Sequence, residues 1–193
     1  MEVLMVRLPY GDLDALPPDV RARVNELGDL NISRMIAHCP GVVGPFHALA
    51  RANLADTTLD ARLREMVILL IGHRRGCEYI AVQHEIPART VGVSRAQLDA
   101  LTAQEFGDAV FTDADRAVFA LVAAALAGNG DVPDDVFDRA HHHLDDRGMV
   151  ELMIIVGWYS CTAILLNTLQ VDLDATARMR FAPRGNGHSA DNT

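Results

Sequence analysis

The stretch LREMVILLIGHRRGCEYIAVQH, residues 63–84 of a 193-residue chain, decides how the sequence is read. Leu63, Met66, Val67, Leu70 and Ile71 recur at the spacing of one helix face, so its first half is an apolar helix. Arg74-Arg75-Gly76 breaks that helix. A second one starts at Cys77 and must bend or stop at Pro87, which has no amide proton to donate. A hairpin at residues 74–76 folds the second helix back on the first. Glu65 lies inside the apolar stripe, where a carboxylate is costly unless it is paired or protonated. Cys77 sits at a helix start, where free amides and the helix dipole favour thiolate. His84 follows seven positions later, about 20° off the same face and about 10 Å along the axis. The hairpin therefore brings carboxylate, thiol and imidazole toward one hollow, with Glu65 orienting the His84 ring as the third group behind a base.

Outward from this hairpin, nearly every segment reads as helix. Pro17-Pro18 opens a short one that stops near Gly28. Ile32 to Ala37 ends at Cys39-Pro40-Gly41, and the next runs from about Val42 to Leu54 with Phe46, Leu49 and Ala50 at helical spacing. Thr58 or Asp60 caps the Glu65 helix. Ser94-Arg95-Ala96-Gln97 is a capping box, and Thr112 to Asp115 is a looser one. Gly128-Asn129-Gly130 ends the helix that follows, Pro133 opens another, and Gly148 precedes a last, apolar one. No alternating strand or parallel-sheet crossover is visible, so the fold class is all-α. Glu65 to Gly72 also resembles Glu151 to Gly157, which suggests two helical half-domains packed face to face. The second copy has no histidine after its glycine, so the chemistry is expected in the first.

Composition narrows the field further. Half of the residues are hydrophobic and 22% are charged, a globular balance for a chain long enough to build a core without disulfides or metal. The formal charge of −9 argues against nucleic acid and anionic membrane surfaces as partners. The uncharged run from Leu152 to Leu166 is shorter than the roughly 20 residues of a membrane helix. Cys39, Cys77 and Cys161 make no disulfide framework, and Met1-Glu2-Val3-Leu4 shows no basic segment followed by an apolar core, so a reducing cytoplasm is expected. His141-His142-His143 is no metal site, because consecutive helix positions point about 100° apart. No metal and no cofactor are called for.

Glu65, Gly76-Cys77-Glu78-Tyr79 and His84-Glu85 resemble the signature of the carboxymuconolactone decarboxylase-like, or alkylhydroperoxidase D-like, family. The resemblance is densest over residues 61–93 and extends from Pro40 through Asp172. It implies residues 40–182 as the family's helical domain after an N-terminal helical segment at 1–39, while the polar, glycine-containing run after Pro183 reads as a disordered tail, 183–193. The hydroperoxidase branch carries Cys-X-X-Cys twelve residues after a glutamate, with a histidine four residues beyond the second cysteine. Cys77 and His84 keep these intervals, but Ile80 stands at the second cysteine. By this resemblance Cys77 is the partner thiol, and it needs Cys39, Cys161 or an external thiol reductant to resolve it.

The resemblance implies two activities. The first is thiol-dependent hydroperoxide reduction of peroxiredoxin type, with Cys77 as redox thiol and Glu65–His84 as proton relay. The second is a cofactor-free lyase, decarboxylase or isomerase reaction on a small carboxylated or lactone substrate, with His84 as general acid and base and Arg74, Arg75 or Arg89 as carboxylate clamps. Glu65, Cys77 and His84 are thus the catalytic candidates. Tyr79, Ile80, His73 and Trp158 are the substrate-binding candidates. The family also implies a homo-oligomer with pockets near subunit contacts.

Overall fold

A computed structural model describes residues 6–175; the expected 183–193 tail lies outside them. After a short 3-10 turn at Leu13–Ala15 come α1 (Pro18–Leu27), α2 (Asn31–Ile36), α3 (Pro40–Ala55), α4 (Ala61–Arg74) and α5 (Glu78–Thr90). They are followed by α6 (Arg95–Thr102), α7 (Asp113–Ala127), α8 (Asp134–His141) and α9 (Asp146–Leu169). Among the described residues there is no strand, and the fold is all-α.

Local chemistry sets most of the helix ends. The Asp60 carboxylate accepts the Leu63 amide at 2.9 Å and starts α4. The Ser94–Gln97 and Thr112–Asp115 pairs form capping boxes in which each side chain meets the other residue's backbone. Gly76 turns the chain at φ +58°, a left-handed conformation that suits glycine. Of the two expectations at Pro87, bending or stopping, the helix does not stop there: α5 runs through to Thr90. One expectation is corrected. The last helix begins at Asp146, before Gly148, with Asp145 as the cap that accepts the Gly148 amide at 2.7 Å. That makes α9 24 residues long, enough by length and apolarity to cross a membrane, whereas its uncharged run alone is shorter. Here Leu152, Ile155, Val156, Tyr159, Ala163 and Leu166 of α9 are buried in the core.

At the centre stands α4, packed against α5, α6, α7 and α9. Met66, Val67, Ile68, Leu69, Leu70 and Ile71 are all buried, so α4 is apolar around its circumference and needs neighbours on every side. The two helices of the faint repeat, α4 and α9, pack on each other, and one core joins both halves. A smaller cluster of Leu13, Leu16, Val24, Ile36, Ala37 and Val43 seats α1 and α2 against α3. Glu151, the repeat's counterpart of Glu65, accepts the Thr58 amide and hydroxyl and pairs with Arg147. It has no histidine partner there.

Candidate active site

The α4–α5 hairpin closes as its glycine break requires. Gly72 lets the helices come close, since a Cβ there would lie 3.1 Å from Ile80 Cγ2 and 3.3 Å from the Ala81 amide nitrogen. That approach brings His84 over Glu65, and His84 Nδ1 donates to Glu65 Oε2 at 2.8 Å. The Glu65 side chain is 3% exposed, with Arg64 as a second, longer partner at 3.7 Å. Arg62, one turn earlier on α4, pairs instead with Asp115 at 2.8 Å. A carboxylate only accepts, so it fixes the proton on Nδ1 and leaves Nε2 as the free nitrogen of the ring. Tyr159 meets the His84 ring edge-on at 5.1 Å. Burial pushes the Tyr159 hydroxyl well above the ordinary phenol range, as does the nearby Glu65 charge.

His84 lines a cavity of about 240 Å³ between α3, α5 and α9. Its walls are mainly apolar and aromatic: Phe46, Tyr79, Ile80, Trp158, Tyr159 and Leu166, with the Phe46 ring packed at a tilt against Trp158 at 4.4 Å. Three of the four binding candidates, Tyr79, Ile80 and Trp158, thus line the same cavity as His84. Tyr79 offers only its ring, because its hydroxyl donates to Asp174 at 2.5 Å. Gln83 donates to the same carboxylate, which also accepts the Asn31 amide at 2.7 Å.

The fourth candidate, His73, lies elsewhere. It sits at the end of α4 beside Leu69, Ala81, Glu85 and Leu98, in a separate cleft. It lies in the last turn of α4, ahead of the hairpin turn, and on another face than Glu65. The arginine clamps are also displaced: Arg74, Arg75 and Arg89 are exposed, and Arg74 lies over the Phe106 ring at 4.8 Å.

Cys77 corrects the third member of the expected cluster. It caps α5, as its place before the helix predicts. Yet it is 1% exposed and is not among the residues lining the cavity. Burial pushes the thiol up, against the downward pull of the Ile80 and Tyr79 amides. Desolvation thus outweighs the helix-start effect that favours thiolate. Ile80, one turn on, faces the cavity instead. The other two cysteines, Cys39 and Cys161, are exposed. Of the consecutive histidines, His141 pairs with Asp146 at 2.8 Å while His142 and His143 meet edge to face. Among the described residues no group of three metal-ligating side chains comes together.

Some cavity residues escaped the sequence reading, His47 among them. His47 of α3 is 5% exposed and lines the same space as His84. Burial pulls its imidazole below the ordinary histidine value. The signal was present: His47, Ala50 and Leu54 fall at i, i+3 and i+7, so a histidine interrupts an apolar stripe. Leu49, chosen for that stripe, is 41% exposed.

The carboxymuconolactone decarboxylase family model matches residues 40–127, from α3 to the end of α7. Among curated proteins no relative matches the chain. Several solved structures share its fold. An alkylhydroperoxidase AhpD core, a peroxidase-related protein from Ralstonia eutropha JMP134, is 21% identical with a TM-score of 0.79, covering 91% of this chain and 96% of its own. A peroxidase-related protein from Silicibacter sp. TM1040 is 16% identical with a TM-score of 0.76, covering 89% and 93%. A cysteine-to-alanine variant of the debrominase Bmp8, in complex with 2,3,4-tribromopyrrole, is 19% identical with a TM-score of 0.72, covering 93% and 96%. Residues 40–127 thus match the carboxymuconolactone decarboxylase family, within a helical fold that the chain shares with these structures.

Proposed function

We propose that the protein transfers a proton at carbon in a small ring compound, a lyase or isomerase reaction. In this reading His84 is the acid–base residue and Glu65 the group that holds it. The observation that carries the reading is the 2.8 Å contact between His84 Nδ1 and the buried Glu65 carboxylate at the wall of an aromatic cavity. A base held this way keeps one tautomer and one orientation, and positioned proton transfer contributes roughly 10²- to 10⁴-fold to a rate. An apolar cavity of about 150 Å³ suffices for benzene, so the space beside His84 suits a single ring with one or two substituents. The Bmp8 complex with tribromopyrrole supports a ligand of that size in this fold.

Hydroperoxide reduction at Cys77 is the second reading. It is favoured by the amides of Ile80 and Tyr79 that meet the sulfur, and by the peroxidase-related neighbours. It ranks second because burial holds the thiol protonated and Ile80 occupies the place of a vicinal thiol. It would also require a thiol reductant as partner. The exposed Val150, Ile154 and Ile164 of α9 support assembly as a homo-oligomer.

The two readings separate in one pair of assays. In D₂O, small lactones and cyclic ketones should exchange their α-hydrogens faster with the wild type than with His84→Ala, while Cys77→Ser retains the activity. If no such compound exchanges, and cumene hydroperoxide is consumed with dithiothreitol in a Cys77-dependent way, proton transfer is the wrong reading.

A further inference from the structure

The cavity holds more polarity than the Glu65–His84 pair uses. Among the described residues, neither ring nitrogen of His47 has a hydrogen-bond partner, and neither does the hydroxyl of Thr162. Both side chains are more than nine-tenths buried, and both line the cavity that His84 lines. Buried polar groups are ordinarily satisfied, and a helical threonine can usually turn its hydroxyl to the carbonyl four residues back. Thr162 does not. Tyr79 and Gln83, the remaining polar candidates on α5, already direct their donors to Asp174. Two helices far apart in sequence thus each bring an unused polar group to one apolar space, α3 with His47 and α9 with Thr162.

We propose that His47 and Thr162 form a ligand anchor that binds an uncharged polar substituent, a carbonyl or hydroxyl, on the ring compound in the cavity. The inference rests on the reading of this cavity as the substrate site, and it narrows the substrate class. No Asp, Glu, Lys or Arg is among the cavity-lining residues. A carboxylate there would lose its hydration without gaining a cation, which is the costly case for a buried charge. A neutral imidazole and a hydroxyl each donate and accept, so they match a carbonyl or a hydroxyl without a change of charge. Burial keeps His47 in its neutral form. The carboxylated alternative is accordingly disfavoured for the portion of the ligand that enters this space.

The test compares phenol with toluene, which differ by a hydroxyl in place of a methyl, and with benzoate. Trp158 is the chain's single tryptophan and lies in the cavity wall, so its fluorescence, excited at the red edge, reports occupancy. The ratio of toluene to phenol dissociation constants should fall about fivefold to tenfold in His47→Leu, as expected for one lost hydrogen bond. It should fall in the same direction in Thr162→Val, and His47→Gln, which retains an amide, should restore part of it. Benzoate should not bind where phenol saturates. Because His47 has no protein partner to lose, His47→Leu should melt no lower than wild type, and the near-isosteric Thr162→Val supplies the same readout. Unchanged ratios in both variants overturn the anchor, as does benzoate binding as tightly as phenol, or a wild-type cavity that takes neither phenol nor toluene. Failure of the exchange assay together with a His47-dependent ratio would overturn the catalytic reading alone.

Discussion

Adding one methyl group at Gly72 tests whether close approach of α4 and α5 is what builds the site. In isolation Gly→Ala within a helix should stabilise by about 0.5–1 kcal/mol. At this position the new Cβ would lie 3.1 Å from Ile80 Cγ2, 3.4 Å from Ile80 Cβ and 3.3 Å from the Ala81 nitrogen, inside the roughly 3.5–4.0 Å optimum for carbon contacts. Ile80 borders the cavity but is buried and β-branched, so its χ1 is stiff, and the Ala81 nitrogen is backbone. The helix must therefore shift, and forced overpacking of a core costs about 1–3 kcal/mol. The balance is a net loss of about 1 kcal/mol, or about 2–4 °C in melting temperature for a domain of this size. The same displacement lengthens the bond from Glu65 to His84, so His84-dependent exchange should fall more than stability does. Urea unfolding of Gly72→Ala, Ile80→Ala and the double variant measures the pairwise part. Trimming Ile80 should cost about 1 kcal/mol less beside Ala than beside Gly, within the range seen for touching residues. If Gly72→Ala raises stability and the two changes are additive, the close-approach argument is refuted.

Two further outcomes follow from burial. Cys39 and Cys161 are exposed and Cys77 is buried with its thiol pushed up, so iodoacetamide in native buffer should label the first two well before Cys77, as read by peptide mass spectrometry. Raising the pH through the ordinary thiol range should leave Cys77 lagging; prompt labelling at neutral pH would contradict its burial. The second outcome concerns acid. His47 has its folded pKa below the unfolded value of 6.5 because burial disfavours the charged ring, so the stability from keeping it neutral is present above pH 6.5 and is lost as pH falls through the folded pKa. Urea midpoints of the wild type should thus drop on acidification below pH 6.5 more steeply than those of His47→Leu, with the half-buried His73 contributing the same sign in both.

Much of the architecture was legible because helices are local. The stripe from Leu63 to Ile71, the break at Gly76 and the caps at Asp60, Ser94 and Thr112 depend on residues within a few positions of one another. The pairing of Glu65 with His84 was legible for a related reason: one tight hairpin joins them, so spacing alone limits where they can meet. His73 was misplaced because its side-chain direction depends on which face of α4 meets α5 rather than α6. Cys77 was misjudged because its helix-start position is visible in sequence while its desolvation is not.

What the sequence determined by itself was the set of helices, the turn between α4 and α5, and the carboxylate–imidazole pair carried across it. Tertiary structure alone decided that α3 and α9 close over His84, that His47 and Thr162 face the resulting space, and that Cys77 is sealed away from water. The division has a physical cause. Helix formation and capping are governed by neighbours along the chain, whereas cavities and the desolvation of a thiol or imidazole arise where surfaces from distant segments exclude solvent together.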